Sequence, residues 1–277
     1  SDAVFVHTLD GKVLHANSGA AALLDFAREL LQAMAIPDAL GGESSSVLAR
    51  PGERGTARFG ARLTRAGGRV REVAGDARVT DRSRGIAQMV VRDVTDHRRE
   101  ERERRARLFA LESMELIERA VRGTEDAEQM LSDFIRQVFH ILRCDRAWLM
   151  YPCDPDADEC VVPFEHTHPD YPGASQFADP LPMEVATSEA CRVALETGAP
   201  VVEMEKPPVR LGGLMGDELR VYSRIATAVH PKVGRPWLFG AHQCAYRRQW
   251  TQDEVDLFQD IGRRLADALS VLLTVRE

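Results

Sequence analysis

Two pairs of side chains able to bind a metal stand two residues apart in this chain: His166 with His168, and His242 with Cys244. On an extended strand that spacing projects both members of a pair to one face. Imidazole with thiolate would suit zinc or a related transition metal if the two faces converged. The five cysteines, Cys144, Cys153, Cys160, Cys191 and Cys244, fit neither a CxxC zinc site nor a disulfide framework. They read as reduced structural thiols, and the histidines as strand residues satisfied by nearby backbone, so no metal site is assigned. No phosphate-cradling Walker loop, GxSxG or HExxH occurs, nor any kinase or cyclase signature. No catalytic residue is assigned, and the chain is not expected to be an enzyme by itself. The remaining chemistry is binding. Trp148, Tyr151, Phe164, His166, Cys191, His242 and Cys244 are the candidates for lining a ligand pocket.

These candidates all lie in the second half of 277 residues, a length that accommodates two ordinary domains. A net charge of -7 gives no sign of a nucleic-acid partner. No apolar run approaches the roughly 20 residues of a membrane-spanning helix. The expectation is a cytoplasmic protein with no membrane insertion in this stretch. The abrupt opening into a strand pattern suggests a piece of a longer one.

The two halves meet in Asp93 to Val121. Thr95 reads as a helix N-cap with Asp96 in the first turn, where its carboxylate faces the positive end of the helix dipole. Glu100 with Arg104, Glu101 with Arg105 and Glu103 with Arg107 are acid-first i,i+4 pairs, each contributing about 0.2–0.5 kcal/mol in an isolated helix. Ala110, Met114, Ile117 and Val121 follow as an apolar seam. The segment is expected to be one connecting helix over 95–122, either a solvated spacer or a signal helix that pairs with a second copy in a homodimer.

Before it, residues 1–94 alternate like strands. Ala3 to His7 and Lys12 to Ala16 flank Asp10-Gly11, a hairpin turn signal. Asn17 and Ser18 start a helix, and Gly41 to Ser46 form a polar break. Ala57, Phe59, Ala61 and Leu63 alternate with polar partners, Gly67-Gly68 turns the chain, and two further strands end at Val91. This order, with Asp10-Gly11, the Val13 to Asn17 run and the exit Asp93-Val94-Thr95, resembles a PAS sensor domain. Such domains bind flavin or haem in some members. Here a flavin-adduct cysteine is excluded, because none precedes Cys144, and no histidine between His15 and His97 offers a haem ligand. Met34 and Met89 are weak substitutes. The expectation is a packed, dimerising domain, with a small apolar metabolite as the alternative.

Residues 123–277 open with Thr124-Glu125-Asp126 and a helix carrying Ala127, Met130, Leu131, Phe134, Ile135, Val138 and Leu142. Strands are expected at 146–151, 160–168, 200–204, 224–229 and 237–246, with helices at 186–197 and 251–275. Thr251 and Glu254 form a capping box for the last. Cys144 to Ala147, Glu196 to Val201, Phe239 to Cys244, Trp250-Thr251 with Glu254, and Ile261-Gly262 with Leu265-Ala266 resemble a GAF domain. That resemblance implies cyclic nucleotides, bilins, haem or no ligand. The NKxnFx3DE signature of the nucleotide type is absent, and so is the Asp-Ile-Pro of bilin types. Cys191, on an expected helix lining the pocket side, is the candidate for a covalent bilin, against the favoured reading of a buried thiol packing as a small hydrophobe. The cofactor is left unassigned. The segment Pro207-Pro208 to Gly216 is either a mobile lid or a plain connection.

The fold class expected is α+β: two domains, each a central antiparallel sheet with flanking helices. The function expected is a regulatory sensory and dimerisation module of a two-component or similar signal-transduction protein. It would relay the state of a small-molecule ligand or a partner to a downstream output domain such as a histidine kinase or diguanylate cyclase. A phytochrome-like bilin photoreceptor and a ligand-free dimerisation scaffold are the alternatives.

Overall fold

Alternating burial runs along β1 (Ala3–Thr8), where Ala3, Phe5 and His7 point inward. The computed structural model describes residues 2–36, 56–64, 69–124, 126–174, 180–210 and 220–275. The chain divides into two units, Ser1–Arg105 and Ala106–Glu277. The class is α+β, each unit having one principal antiparallel sheet with helices.

In the first unit β1 pairs with β2 (Val13–Ala16) around a turn closed by Gly11 N–H donating to the Thr8 carbonyl at 2.8 Å. Gly11 takes φ 94°, a conformation glycine adopts without steric cost. The other strands are β3 (Thr56–Thr64), β4 (Val70–Asp81) and β5 (Ile86–Asp93), and the sheet order is β2-β1-β5-β4-β3. Asn17 caps α1 (Ser18–Leu24): its Oδ1 accepts from Ala20 N–H and from Val4 N–H, both at 2.9 Å, tying the helix start to β1. A short α2 (Arg28–Gln32) follows. Phe5, Leu31, Ile36, Phe59 and Met89 fill the core. The Phe59 ring lies over Gly75, where a Cβ would come within 2.4 Å of it. The Gly41–Ser46 break and the Gly67-Gly68 turn fall outside the described residues.

The expected connecting helix is α3 (Thr95–Arg122). Its start differs in detail from the expectation. Thr95 is the first helical residue, and its amide donates to the Asp93 carboxylate at 3.0 Å, while its hydroxyl accepts from Glu72 N–H of β4 at 2.9 Å. Asp93 therefore does the capping, and Thr95 fastens the helix to the sheet. Glu72 reinforces this by pairing with Arg102 at 2.9 Å and Arg98 at 3.8 Å. Of the expected i,i+4 pairs Glu101–Arg105 forms, whereas Glu103 reaches back to Arg99 at 2.8 Å. Further along, in the second unit, Ile117 is fully buried, and Ala110, Met114 and Val121 pack against the same core. That seam is thus occupied inside the unit.

Asp126 caps α4 (Ala127–Leu142), accepting from Glu128 N–H at 2.9 Å, and Arg143 ends it in the left-handed conformation. The strands are β6 (Arg146–Tyr151), β7 (Glu159–Thr167), β8 (Leu181–Pro182), β9 (Val201–Arg210), β10 (Arg220–Val229) and β11 (Trp237–Gln243). Their order is β8-β7-β6-β11-β10-β9. Between β8 and β9 lies α5 (Val185–Thr197), ended by Gly198 at φ 60°. The chain finishes with α6 (Gln252–Val275), whose capping box forms: Thr251 N–H donates to Glu254 at 2.9 Å and Glu254 N–H to the Thr251 hydroxyl at 3.3 Å. Residues 207–210, expected to be loop, continue β9, and 211–216 fall outside the described residues.

Strand alternation splits this second sheet into two apolar layers. Ala147, Leu149, Ile225, Phe239 and Ala241 face α4, α6 and Ile117. Trp148, Met150, Ala226 and Leu238 face the other way, toward Ala190, Cys191 and Ala194 of α5. Among the described residues no helix is long and apolar enough to cross a membrane.

Candidate functional site

The α5 side of the second sheet holds a cavity of about 80 Å³. Its floor is set by strand register. His242 of β11 is the cross-strand partner of Arg146 on β6 and of Arg224 on β10, so these three side chains form one row across three strands and all line the cavity. The neighbouring row on the same face is Trp148, Gly240 and Ala226. Gly240 is required there: a Cβ would lie 2.2 Å from the Trp148 indole. Without one, the indole lies across β11 and its Nε1–H donates to His242 Nε2 at 3.2 Å.

That bond fixes the protonation of the imidazole. An indole N–H only donates, so His242 Nε2 carries the lone pair and Nδ1 carries the hydrogen. Burial, with the positive fields of Arg146 and Arg224, holds the His242 pKa well below its ordinary 6.5, so the ring is neutral. His242 is 5% exposed, and its Nδ1–H has no acceptor among the described residues. Arg146 is 1% exposed; its Nε donates to the Tyr171 carbonyl at 3.3 Å, and its Nη2 likewise lacks a partner among the described residues. A buried donor left unpaired costs about 1–3 kcal/mol, more for a charged group. Arg224, by contrast, is paired with Glu203 of β9. The walls are Met150, Val162, Leu181 and Leu238, with Glu165, the α5 N-cap Glu184 and Thr187 of α5. The Glu165 carboxylate lies against Gly173, where any side chain would collide with it.

Of the residues picked out from sequence, Trp148 and His242 line this cavity. Tyr151 packs against Trp237, the ring centres 4.7 Å apart and the planes tilted at 43°. Phe164 and His166 lie on the opposite face of the sheet. Phe164 packs on the helical core, and His166 meets Phe139 at 4.7 Å. Cys191 is fully buried in the layer under α5, and its carbonyl faces the Cys153 thiol at 4.0 Å. Cys244 is buried at the turn after β11, where its amide donates to Asp145 at 2.6 Å. Burial pushes the Cys144 and Cys244 thiols up to about 12 and Cys160 up to about 11. The pairs His166/His168 and His242/Cys244 do not converge, and no group of three or more His, Cys, Asp or Glu able to hold a metal occurs among the described residues. Arg146 and Arg224 were missed. Arg146, Trp148 and Met150 share a period of two, a signal present in the sequence; Arg224 becomes visible only through its pairing with β11.

The sequence model of the GAF domain family matches residues 126–269. No curated protein matches the chain. Among solved structures, a PAS domain from a two-component sensor histidine kinase is 19% identical, covers 33% of this chain and 84% of its own, with a TM-score of 0.27. The phycoerythrobilin-bound GAF domain of a cyanobacterial phytochrome is 14% identical over 61% of this chain and 99% of its own, at TM-score 0.47. The chromophore-binding domain of a bacteriophytochrome from R. palustris is 16% identical over 100% of this chain and 94% of its own, at TM-score 0.43.

Proposed function

The chain belongs to the GAF domain family, and from that premise we propose that it is a regulatory sensory module: a PAS-like domain over 1–94, a connecting signal helix over 95–122 and a ligand-responsive GAF domain over 123–277. It relays the state of its pocket to an output domain, acts as a homodimer in the cytoplasm and performs no catalysis of its own. The observation that carries this reading is the two-sided sheet. Strands β6, β10 and β11 present Arg146, Arg224 and His242 to the cavity on one face and hold Ile117 of α3 and the α6 stripe on the other. Gly262 of α6 approaches so closely that a Cβ there would lie 3.2 Å from Thr227 of β10. A ligand that shifts those strands changes the seat of both helices, and a two-state helix packing can be biased in that way.

The test is hydrogen exchange on the whole chain with the cavity filled from its rim. Thr187→Trp should change the exchange of amides in 108–121 and in 262–274 by at least ~3-fold, because local opening energies report packing. Exchange altered only around α5, with both helices unmoved, would sink the relay.

A further inference from the structure

We propose that the cavity of the second unit binds a small aliphatic monocarboxylate, its carboxylate bridging Arg146 Nη2 and His242 Nδ1 and its short hydrocarbon body lying against Met150, Leu181 and Leu238. This rests on the sensory reading above and names its ligand.

Two donors on the cavity floor, Arg146 Nη2 and His242 Nδ1, have no acceptor among the described residues. Arg146 and His242 are cross-strand partners, which sets their Cβ atoms ~5 Å apart on one face. Each lines the same cavity, each is more than nine-tenths buried, and each has a donor with no acceptor among the described residues. A group with two acceptor oxygens on one carbon satisfies both, and a carboxylate adds the charge-assisted bond that a buried guanidinium favours. A cationic ligand fails at this floor, because the two polar atoms left unpaired there, Arg146 Nη2 and His242 Nδ1, are both donors. The neutral imidazole matters: with Nε2 engaged by Trp148, the histidine can offer only its N–H.

Size and wall chemistry narrow the class. About 80 Å³ has room for roughly six water-sized positions, far short of the ~300–1,000 Å³ that hold larger ligands. A linear tetrapyrrole does not fit that space; a chain of a few carbons does. Above the row, Met150, Leu181 and Leu238 make the walls apolar, which suits a hydrocarbon body. Glu184 and Thr187 close the α5 side, so a second carboxylate reaching that wall would meet Glu184. Glu165, which is itself partnered, adds negative charge at the cavity edge. The site therefore favours one carboxylate over two.

Isothermal titration of the whole chain with butyrate, butyramide and succinate tests this. Butyrate should bind, butyramide and succinate at least ~10-fold more weakly, since one lacks the charge and the other carries a second carboxylate. Arg146→Gln should lose butyrate binding. Because Arg146 is deeply buried, Thr187→Trp serves as the second variant, blocking the space from the partly exposed rim while leaving the floor intact, and it too should lose binding. Failure of butyrate to bind, equal binding of butyramide or succinate, or undiminished binding by Thr187→Trp would each overturn the proposal. If Thr187→Trp still alters exchange in the two helices while butyrate does not bind, the ligand class falls and the sensory reading stands.

Discussion

His242 sits where three independent constraints meet: a cross-strand arginine on each side, an indole donor on Nε2, and burial. All of these favour the neutral ring, and the result is a pH dependence with a definite sign. The folded-state pKa lies below the ordinary 6.5, so the unfolded chain takes up the proton first. The stability tied to neutral His242 is complete above pH 6.5 and is lost as pH falls from there toward the folded value. The groups facing it are Arg146 and Arg224, which oppose protonation, with Glu165 and Glu203 nearby on the neighbouring strands. His166 shifts in the same direction through its own burial, so the diagnostic is a difference between two proteins. Urea midpoints measured from pH 7.5 to 5 should fall more steeply for the wild type than for His242→Asn; parallel curves would remove His242 from the account. The residue scale is also where sequence reading was weakest. His242 and Trp148 stand out as unusual side chains on a strand, but Arg146, next to Asp145, reads as a surface charge until its row is known.

At the scale of elements, most of the architecture was legible. The Asp126-capped helix, the strand at 146–151 and the capping box of Thr251 with Glu254 follow from local rules of periodicity and capping that need no partner. What escaped is whatever depends on pairing. The lengths of β9 and β10 beyond their apolar stretches come from mutual hydrogen bonding, with Val221 opposite Val209, and a Pro207-Pro208 sequence gives no hint of that extension. Thr95 has the residue type of a cap and is instead a fastener, because the Glu72 N–H of β4 donates to its hydroxyl. Gly240 is a further case: only the structure reveals that its missing side chain makes room for the Trp148 indole. Gly240→Ala should therefore displace the ring, break its bond to His242 and destabilise the unit by ~1–3 kcal/mol as an overpacking substitution. A lowered urea midpoint together with a changed near-ultraviolet dichroism spectrum is the expected result. A variant with both unchanged would mean that the two rows of the pocket face are not packed as described.

For the molecule as a whole, α3 carries the dimer question, and the face on which the sequence placed it has changed. The seam Ala110, Met114, Ile117, Val121 reads as a free apolar stripe because periodicity identifies an apolar face without saying what covers it. In the structure the second unit covers it: Ile117 is 0% exposed, and the other three pack on the same core. Glutamate at Ile117 would put a charge into that core and unfold the unit, so it cannot report on association. The apolar residues that α3 leaves in water are Leu108, Phe109, Leu111 and Leu116, between 41% and 64% exposed. Homodimerisation through this helix must then use that side. Leu108→Glu with Leu111→Glu should convert a dimeric mass to a monomeric one by light scattering, with thermal unfolding changed little, since exposed substitutions on a helix move stability by about 0.5 kcal/mol or less. Ile117→Glu in the same assay should broaden or lower the unfolding transition. A dimeric mass that survives Leu108→Glu with Leu111→Glu would take dimerisation away from α3 altogether, and a monomeric wild type would remove the homodimer from the proposed mode of signalling.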